Sequence, residues 1–247
     1  MKILSIGNSF SVDAHTYLYK LATNLGAEIE SLNLFIGGCS LERHHKCLTL
    51  GLADYEPQYN GTLLAGAKIS VQAAVNMRDW DIITVQQVSH LSGIYESYQP
   101  YLNALVDYVR SVRPNAKIFV HETWAYEYDS THEKFINYGK DRFKMHAALA
   151  DAYAKAAEEI HADGIIPSGD VISALRELPE FHAEIGGISL SRDGFHLSYD
   201  YGRYAAAAAF VQALGIGDVK NSSFLPTADS SPALIKIIND KVFEICK

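Results

Sequence analysis

Cysteine is scarce in this chain: three residues in 247, at Cys39, Cys47 and Cys246. So odd and sparse a set cannot build the disulfide framework of a small secreted domain and suits a reducing interior. No stretch approaches the roughly 20 consecutive apolar residues of a membrane-spanning helix. Lysine and arginine never cluster into a run, and the formal net charge is -8. A phosphate backbone or an anionic lipid surface is therefore an unsuitable partner. The first residues lack the charged lead, apolar stretch and small-residue cleavage site of a secretory signal, so the expected location is cytoplasmic. The turn after the first apolar run holds one glycine and is followed by no P-loop lysine, which counts against a nucleotide-phosphate cradle.

What is present is enough apolar material, 48% of 247 residues, to bury one substantial core. A single domain over 1–247 is expected. Hydrophobic periodicity and turn residues predict strands at Lys2 to Ile6, Glu28 to Leu34, Asp81 to Val85, Lys117 to His121 and Gly164 to Pro167. Between them fall predicted helices at Asp13 to Leu25, Ala65 to Arg78, Tyr98 to Val112, Glu133 to His161 and Asp170 to Leu178, with an alanine-rich helix at Tyr201 to Leu214. Residues 40–66, with Gly51, Pro57 and Gly61, are expected to form an irregular active-site insertion. Strands alternating with helices imply parallel pairing and a three-layer α/β/α sandwich.

The chemistry concentrates at two places. Lys2-Ile3-Leu4-Ser5-Ile6 runs into Gly7-Asn8-Ser9-Phe10-Ser11, which reads as a buried strand turning sharply at its tip. That leaves the Ser9 hydroxyl at the carboxyl edge of the sheet, where open α/β sheets hold their active sites. Near the other end stands Asp193-Gly194-Phe195-His196. A spacing of three lets the Asp193 carboxylate meet Nδ1 of His196 and leaves Nε2 facing a serine from elsewhere.

These blocks resemble those of the SGNH or GDSL-type hydrolases, and more closely a bacterial subgroup of SGNH-like proteins. The resemblance covers residues 2–214. Gly7-Asn8-Ser9-Phe10-Ser11 is similar to the first block, with asparagine where the common form has aspartate. Gly37-Gly38-Cys39-Ser40-Leu41 is similar to the second, which carries the oxyanion glycine, and Asp193-Gly194-Phe195-His196-Leu197-Ser198 to the last. The resemblance implies a five-stranded parallel sheet in the flavodoxin-like order 2-1-3-4-5, and ester hydrolysis by Ser9, His196 and Asp193 without metal or organic cofactor. The third block departs from the pattern: where the family places Gly-x-Asn, this chain has Gln86-Gln87-Val88-Ser89-His90. Gln87 or Gln86 is the preferred replacement donor, the other reading being that both merely close the strand end, while a plain register count puts His90 at the asparagine position. The backbone N–H groups of Ser9 and Gly38 are expected to complete the oxyanion hole.

Other residues carry two readings each. Trp124 and Tyr126, after the fourth strand, either stack on a sugar ring or pack over the core. Tyr95, Tyr98 and Tyr101 suit core or rim packing at a helix start. Arg192 and Arg203 flank the Asp/His loop and either meet a substrate carboxylate or pair with acidic neighbours. Asn8 is expected to shape its turn or to cap a backbone group. His44-His45 lacks any zinc-ligand spacing, so no metal is expected. The expected activity is removal of a short acyl group, acetyl foremost, from a carbohydrate or small metabolite. A broader carboxylesterase or thioesterase, or a catalytically silent carbohydrate-binding module, are the alternatives. No residue pattern bears on oligomeric state.

Overall fold

The computed structural model describes residues 1–246. Its centre is a seven-stranded mixed sheet in the order β4-β3-β2-β1-β5-β6-β7. Strands β1 (Lys2–Gly7), β2 (Glu30–Phe35), β5 (Ile82–Val85), β6 (Lys117–Glu122) and β7 (Gly164–Pro167) pair in parallel. Strands β3 (Glu56–Tyr59) and β4 (Thr62–Leu63) are added antiparallel at the β2 edge. The sheet is thus wider than the five strands expected, and the extra pair comes from the segment read as irregular.

That segment also holds α2 (Leu41–Leu50), capped by Ser40 at its start and by Gly51 at φ +64° at its end. A cap serine, a helix and a left-handed glycine are a complete local program. The short hairpin that follows turns at Asn60-Gly61, where both residues have positive φ, and returns through Gly61 packed against the Thr16 carbonyl.

Chain direction across the sheet distributes the helices. From β1 to β2 the chain moves one way, and from β2 through β5, β6 and β7 it moves the other. Right-handed crossovers then put α1 (Ser9–Asn24) on one face, and α3 (Val71–Met77), α4 (Tyr101–Val112) and α5 (Arg142–Glu159) on the other. After β7 come α6 (Ser168–Arg176), α7 (Gly202–Ala213) and α8 (Pro232–Ile245). Helix α7 packs along α1 and against β7. Its buried run Ala205-Ala206-Ala207-Ala208-Ala209 presents little more than methyl groups, so the two helices approach closely.

Several expected helices shrink. The one predicted over Glu133 to His161 is a 3-10 segment, Glu133–Tyr138, then a break at Gly139 (φ +64°), then α5. Asp141 caps the new start by accepting from the N–H groups of Phe143 and Lys144. Helix α3 is confined to Val71–Met77, between the Ser70 cap and an extended Arg78. Helix α8 was not anticipated, although Ser231-Pro232 is a helix-start pair. Among the described residues no helix is long and apolar enough to cross a membrane.

Candidate active site

Strand β1 is buried along its length from Ile3, and its tip passes directly into α1. Asn8 is the helix cap: its Oδ1 accepts from the Phe10 N–H at 3.0 Å. Ser9 is therefore the first helical residue and its hydroxyl is not needed for capping. It points instead at the loop before α7, where Ser9 Oγ and His196 Nε2 are 2.9 Å apart. On the far side of the ring, His196 Nδ1 lies 2.7 Å from Asp193 Oδ2.

Asp193 Oδ1 accepts from the backbone N–H groups of His196 and Phe195, at 2.7 and 3.2 Å. Partial burial pushes this carboxyl upward, but the His196 ring and those two N–H donors outweigh it and hold it below the usual aspartate value. The carboxylate is thus ionised through the neutral range and fixes the ring's tautomer. The loop that carries it is anchored from below. Asp13, one turn beyond Ser9 and fully buried, accepts from the Leu197 N–H at 2.8 Å and from Arg192 and Arg203 at 3.0 and 2.8 Å. Both arginines thus take the pairing reading, with an acidic neighbour inside the fold. Asp13 escaped sequence reasoning, although a charged residue on the apolar face of α1 was a visible signal.

Ser9 and His196 open on a cavity of about 410 Å³, lined also by Gly37, Gly38, Val88, Ser89, His90, His132, Lys134 and Phe195. Gly38 sits at φ +61°, a conformation that a side chain would strain. The N–H groups of Ser9 and Gly38 have no intramolecular acceptor among the described residues, the first because it opens a helix. Both remain available to an incoming oxygen.

The glutamines are placed differently from expectation. Gln87 is fully buried and does not line the cavity. Its Oε1 accepts from the N–H groups of Leu41 and Val88, and its Nε2 donates to the carbonyl and hydroxyl oxygens of Ser97. Every polar group of that side chain is engaged, tying the β5 loop to the start of α2 and to Ser97, which overturns its choice as oxyanion donor. Gln86 is likewise committed, donating to Asn8 Oδ1 at 3.0 Å and facing His121 Nδ1 at 2.8 Å. His90 is the member of this segment whose ring lines the cavity. Burial, then the neighbouring His132 and Lys134, lower its pKa, so it stands there as a neutral ring with one N–H to donate.

The expected sugar-stacking pair is also corrected. Trp124 is fully buried, stacked on Phe10 at 4.4 Å between ring centres, and donates to the Phe195 carbonyl at 2.8 Å. Tyr126 is fully buried as well, its hydroxyl 2.9 Å from Ser89 Oγ. Both brace the loops of the site and neither reaches its surface. Asn8 takes both expected roles, capping the Phe10 N–H and donating from Nδ2 to the Cys39 carbonyl at 3.1 Å, which holds the Gly37-Gly38 turn beside Ser9. His44 is buried against the Tyr55 hydroxyl at 2.8 Å, turned away from His45. Residues His132 and Lys134, from a segment with no recognisable motif, complete the rim.

Comparisons with known proteins follow the same lines. A crystal structure of a DUF4886 family protein from Bacteroides uniformis is 35% identical and matches 99% of this chain and 93% of that one, with a TM-score of 0.90. A proposed SGNH hydrolase from Slackia heliotrinireducens is similar at 24% identity over 87% of this chain and 99% of its own, with a TM-score of 0.58. The acetylxylan esterase Axe2 from Geobacillus stearothermophilus is similar in fold at 15% identity, over 85% and 92% of the two chains, with a TM-score of 0.52. No curated protein matches. The family model described as a domain of unknown function, DUF4886, matches residues 2–237, and the chain belongs to that family, on a fold it shares with SGNH hydrolases.

Proposed function

We propose that the protein is a serine esterase that removes a short acyl group, acetyl foremost, from a carbohydrate or small metabolite. The observation that carries this reading is the continuous chain Asp193, His196, Ser9, with contacts of 2.7 and 2.9 Å, at the mouth of a cavity that also presents two unengaged backbone N–H groups. His196 Nε2 takes the Ser9 proton as Oγ adds to the ester carbonyl carbon. The carbonyl oxygen becomes an oxyanion facing the N–H groups of Ser9 and Gly38 and the ring of His90. Collapse expels the alcohol, which receives the proton from His196. Water, activated by the same histidine, then releases the acid and restores Ser9.

The substrate class rests on the cavity's lining. Val88 and Phe195 give the cavity an apolar wall that suits a small acyl group, whereas His132, Glu133 and Lys134 offer polar atoms to a hydroxyl-rich leaving group. Hydrolysis of p-nitrophenyl acetate, butyrate and octanoate tests it: kcat/KM is expected to fall at each increase in chain length. A rise toward octanoate would favour the carboxylesterase or thioesterase reading, and no turnover of any ester or acetylated sugar would favour a binding module.

His90 has its own test. Loss of one oxyanion donor typically lowers turnover ~10²–10³-fold, so His90→Ala is expected to reduce kcat by that factor with KM little changed. An effect confined to KM would make His90 a substrate contact instead.

A further inference from the structure

Beyond the Ser9 cavity, three chemically matched side chains meet on the other flank of β6. Glu122 ends that strand, His146 projects from α5, and Asp170 lies in the first turn of α6. Each offers a ligand atom within 4.8 Å of the other two, and none of them lines the Ser9 cavity. His146 Nε2 and Asp170 Oδ1 are 3.2 Å apart. Two ligands held ~2.0–2.1 Å from a tetrahedral zinc are separated by about 3.3 Å, so that edge already has the spacing of a coordination shell.

Glu122 supplies the second, independent sign. The residue is 4% exposed, and its Oε1 is buried with no hydrogen-bond partner. The fold presses against it: a Cβ at Gly169 would lie 2.3 Å from that oxygen. Among the described residues no lysine or arginine pairs with Glu122 or Asp170; Asp170 is bridged by His146 alone. The Glu122 oxygen thus stands buried and unpaired beside a second acid and an imidazole, and leaving a buried polar atom without a partner is costly. The cluster is also reachable from water, because the Asp170 side chain is 45% exposed and that of His146 23%.

We infer that Glu122, His146 and Asp170 form a binding site for a divalent cation of the zinc class, held for structure and separate from the esterase chemistry. One imidazole with two carboxylates selects a first-row transition ion over magnesium, which favours oxygen ligands and keeps its waters. The ion would clamp the end of β6 to α5 and α6. The segment leaving that clamp carries Trp124, which donates to the Phe195 carbonyl, and Glu127, whose N–H donates to the Gly194 carbonyl at 2.7 Å. The clamp therefore steadies the strand end on which the His196 loop leans.

The test is calorimetric titration of the full chain, stripped with EDTA and dialysed, with zinc chloride, and with cobalt(II) followed by its visible absorption. One equivalent is expected to bind, Tm is expected to rise with the logarithm of zinc concentration, and the Ser9→Ala protein is expected to bind equally well. Losing even an outer-shell partner of a metal costs ~10–100-fold in affinity, so His146→Ala and Asp170→Asn are each expected to weaken binding by about 100-fold or more. Asp170→Asn changes a half-exposed side chain and keeps the test usable if His146→Ala fails to fold. Absence of saturable binding by the folded chain, magnesium competing as well as zinc, or undiminished binding in both variants would overturn the assignment.

Discussion

A Ser9→Ala protein is expected to fold as the wild type does and to hydrolyse p-nitrophenyl acetate roughly 10⁴–10⁶-fold more slowly, the scale on which a serine nucleophile's removal is felt. The fold is spared because Asn8, not Ser9, caps α1, and among the described residues the one side-chain partner of Ser9 is the ring of His196. Alanine at a first helical position costs nothing in propensity. The rate is not spared, because among the described residues no other hydroxyl bonds to that edge of the His196 ring. Circular dichroism and thermal melting establish the folded state, and kcat/KM measures the loss. Activity that survived the substitution would sink the mechanism and the assignment of Ser9 as its nucleophile.

The second large effect concerns Asp13, which touches no substrate. Removing its carboxylate by Asp13→Ala leaves Arg192, Arg203 and the Leu197 N–H without their shared acceptor. Breaking a buried ion pair costs about 3–5 kcal/mol. The low end, roughly 3 kcal/mol, applies here because the Arg192 side chain is 24% exposed and water partly replaces the lost partner. At about 2–4 °C per kcal/mol for a chain of this size, Tm is expected to drop by roughly 6–12 °C. Because Leu197 follows His196 directly, kcat is also expected to fall below the transition, and Asp13→Asn, which retains an acceptor oxygen, to recover part of both. A Tm unchanged within 1–2 °C would show that the two arginines find other partners.

Much of this architecture was legible because local signals and long-range needs coincide. The strand that ends in Gly7 and the loop from Asp193 to His196 carry turn residues and reactive groups at spacings that few other arrangements explain. The hairpin in the 40–66 segment was illegible for the opposite reason. Its strand Glu56-Pro57-Gln58-Tyr59 contains a proline and lasts four residues, and it exists because the β2 edge offers Leu32 through Phe35 as partners. Periodicity within a segment cannot report an edge formed elsewhere.

The amides and aromatics of the site failed differently. A glutamine has a donor and an acceptor, and nothing in Gln86-Gln87 says which neighbours claim them; the claimants of Gln87 are Leu41, Val88 and Ser97, up to 46 residues away. Trp124 and Tyr126 are suited equally to a binding surface and to the underside of a loop. Only the position of Phe10 and Ser89 decides between them. The Glu122, His146 and Asp170 cluster has no short spacing at all, since its members arrive from a strand and two helices.

One buried row of contacts under the nucleophile has a polarity that can be read from a single end. The Cys39 carbonyl only accepts, so the Asn8 amide nitrogen must face it and Asn8 Oδ1 must face the other way, toward Gln86. Gln86 must then give its nitrogen to Asn8 and turn its oxygen to His121, which obliges His121 Nδ1 to carry the proton and Nε2 to accept from Ser168, 3.1 Å away. Burial lowers His121 to about 3, so no second proton reverses the row in the neutral range. The arrow set by one peptide oxygen thus runs from Ser168 to the glycine turn, and an aspartate at position 8, the residue common at this position in the resembling hydrolases, would set oxygen against oxygen at Cys39.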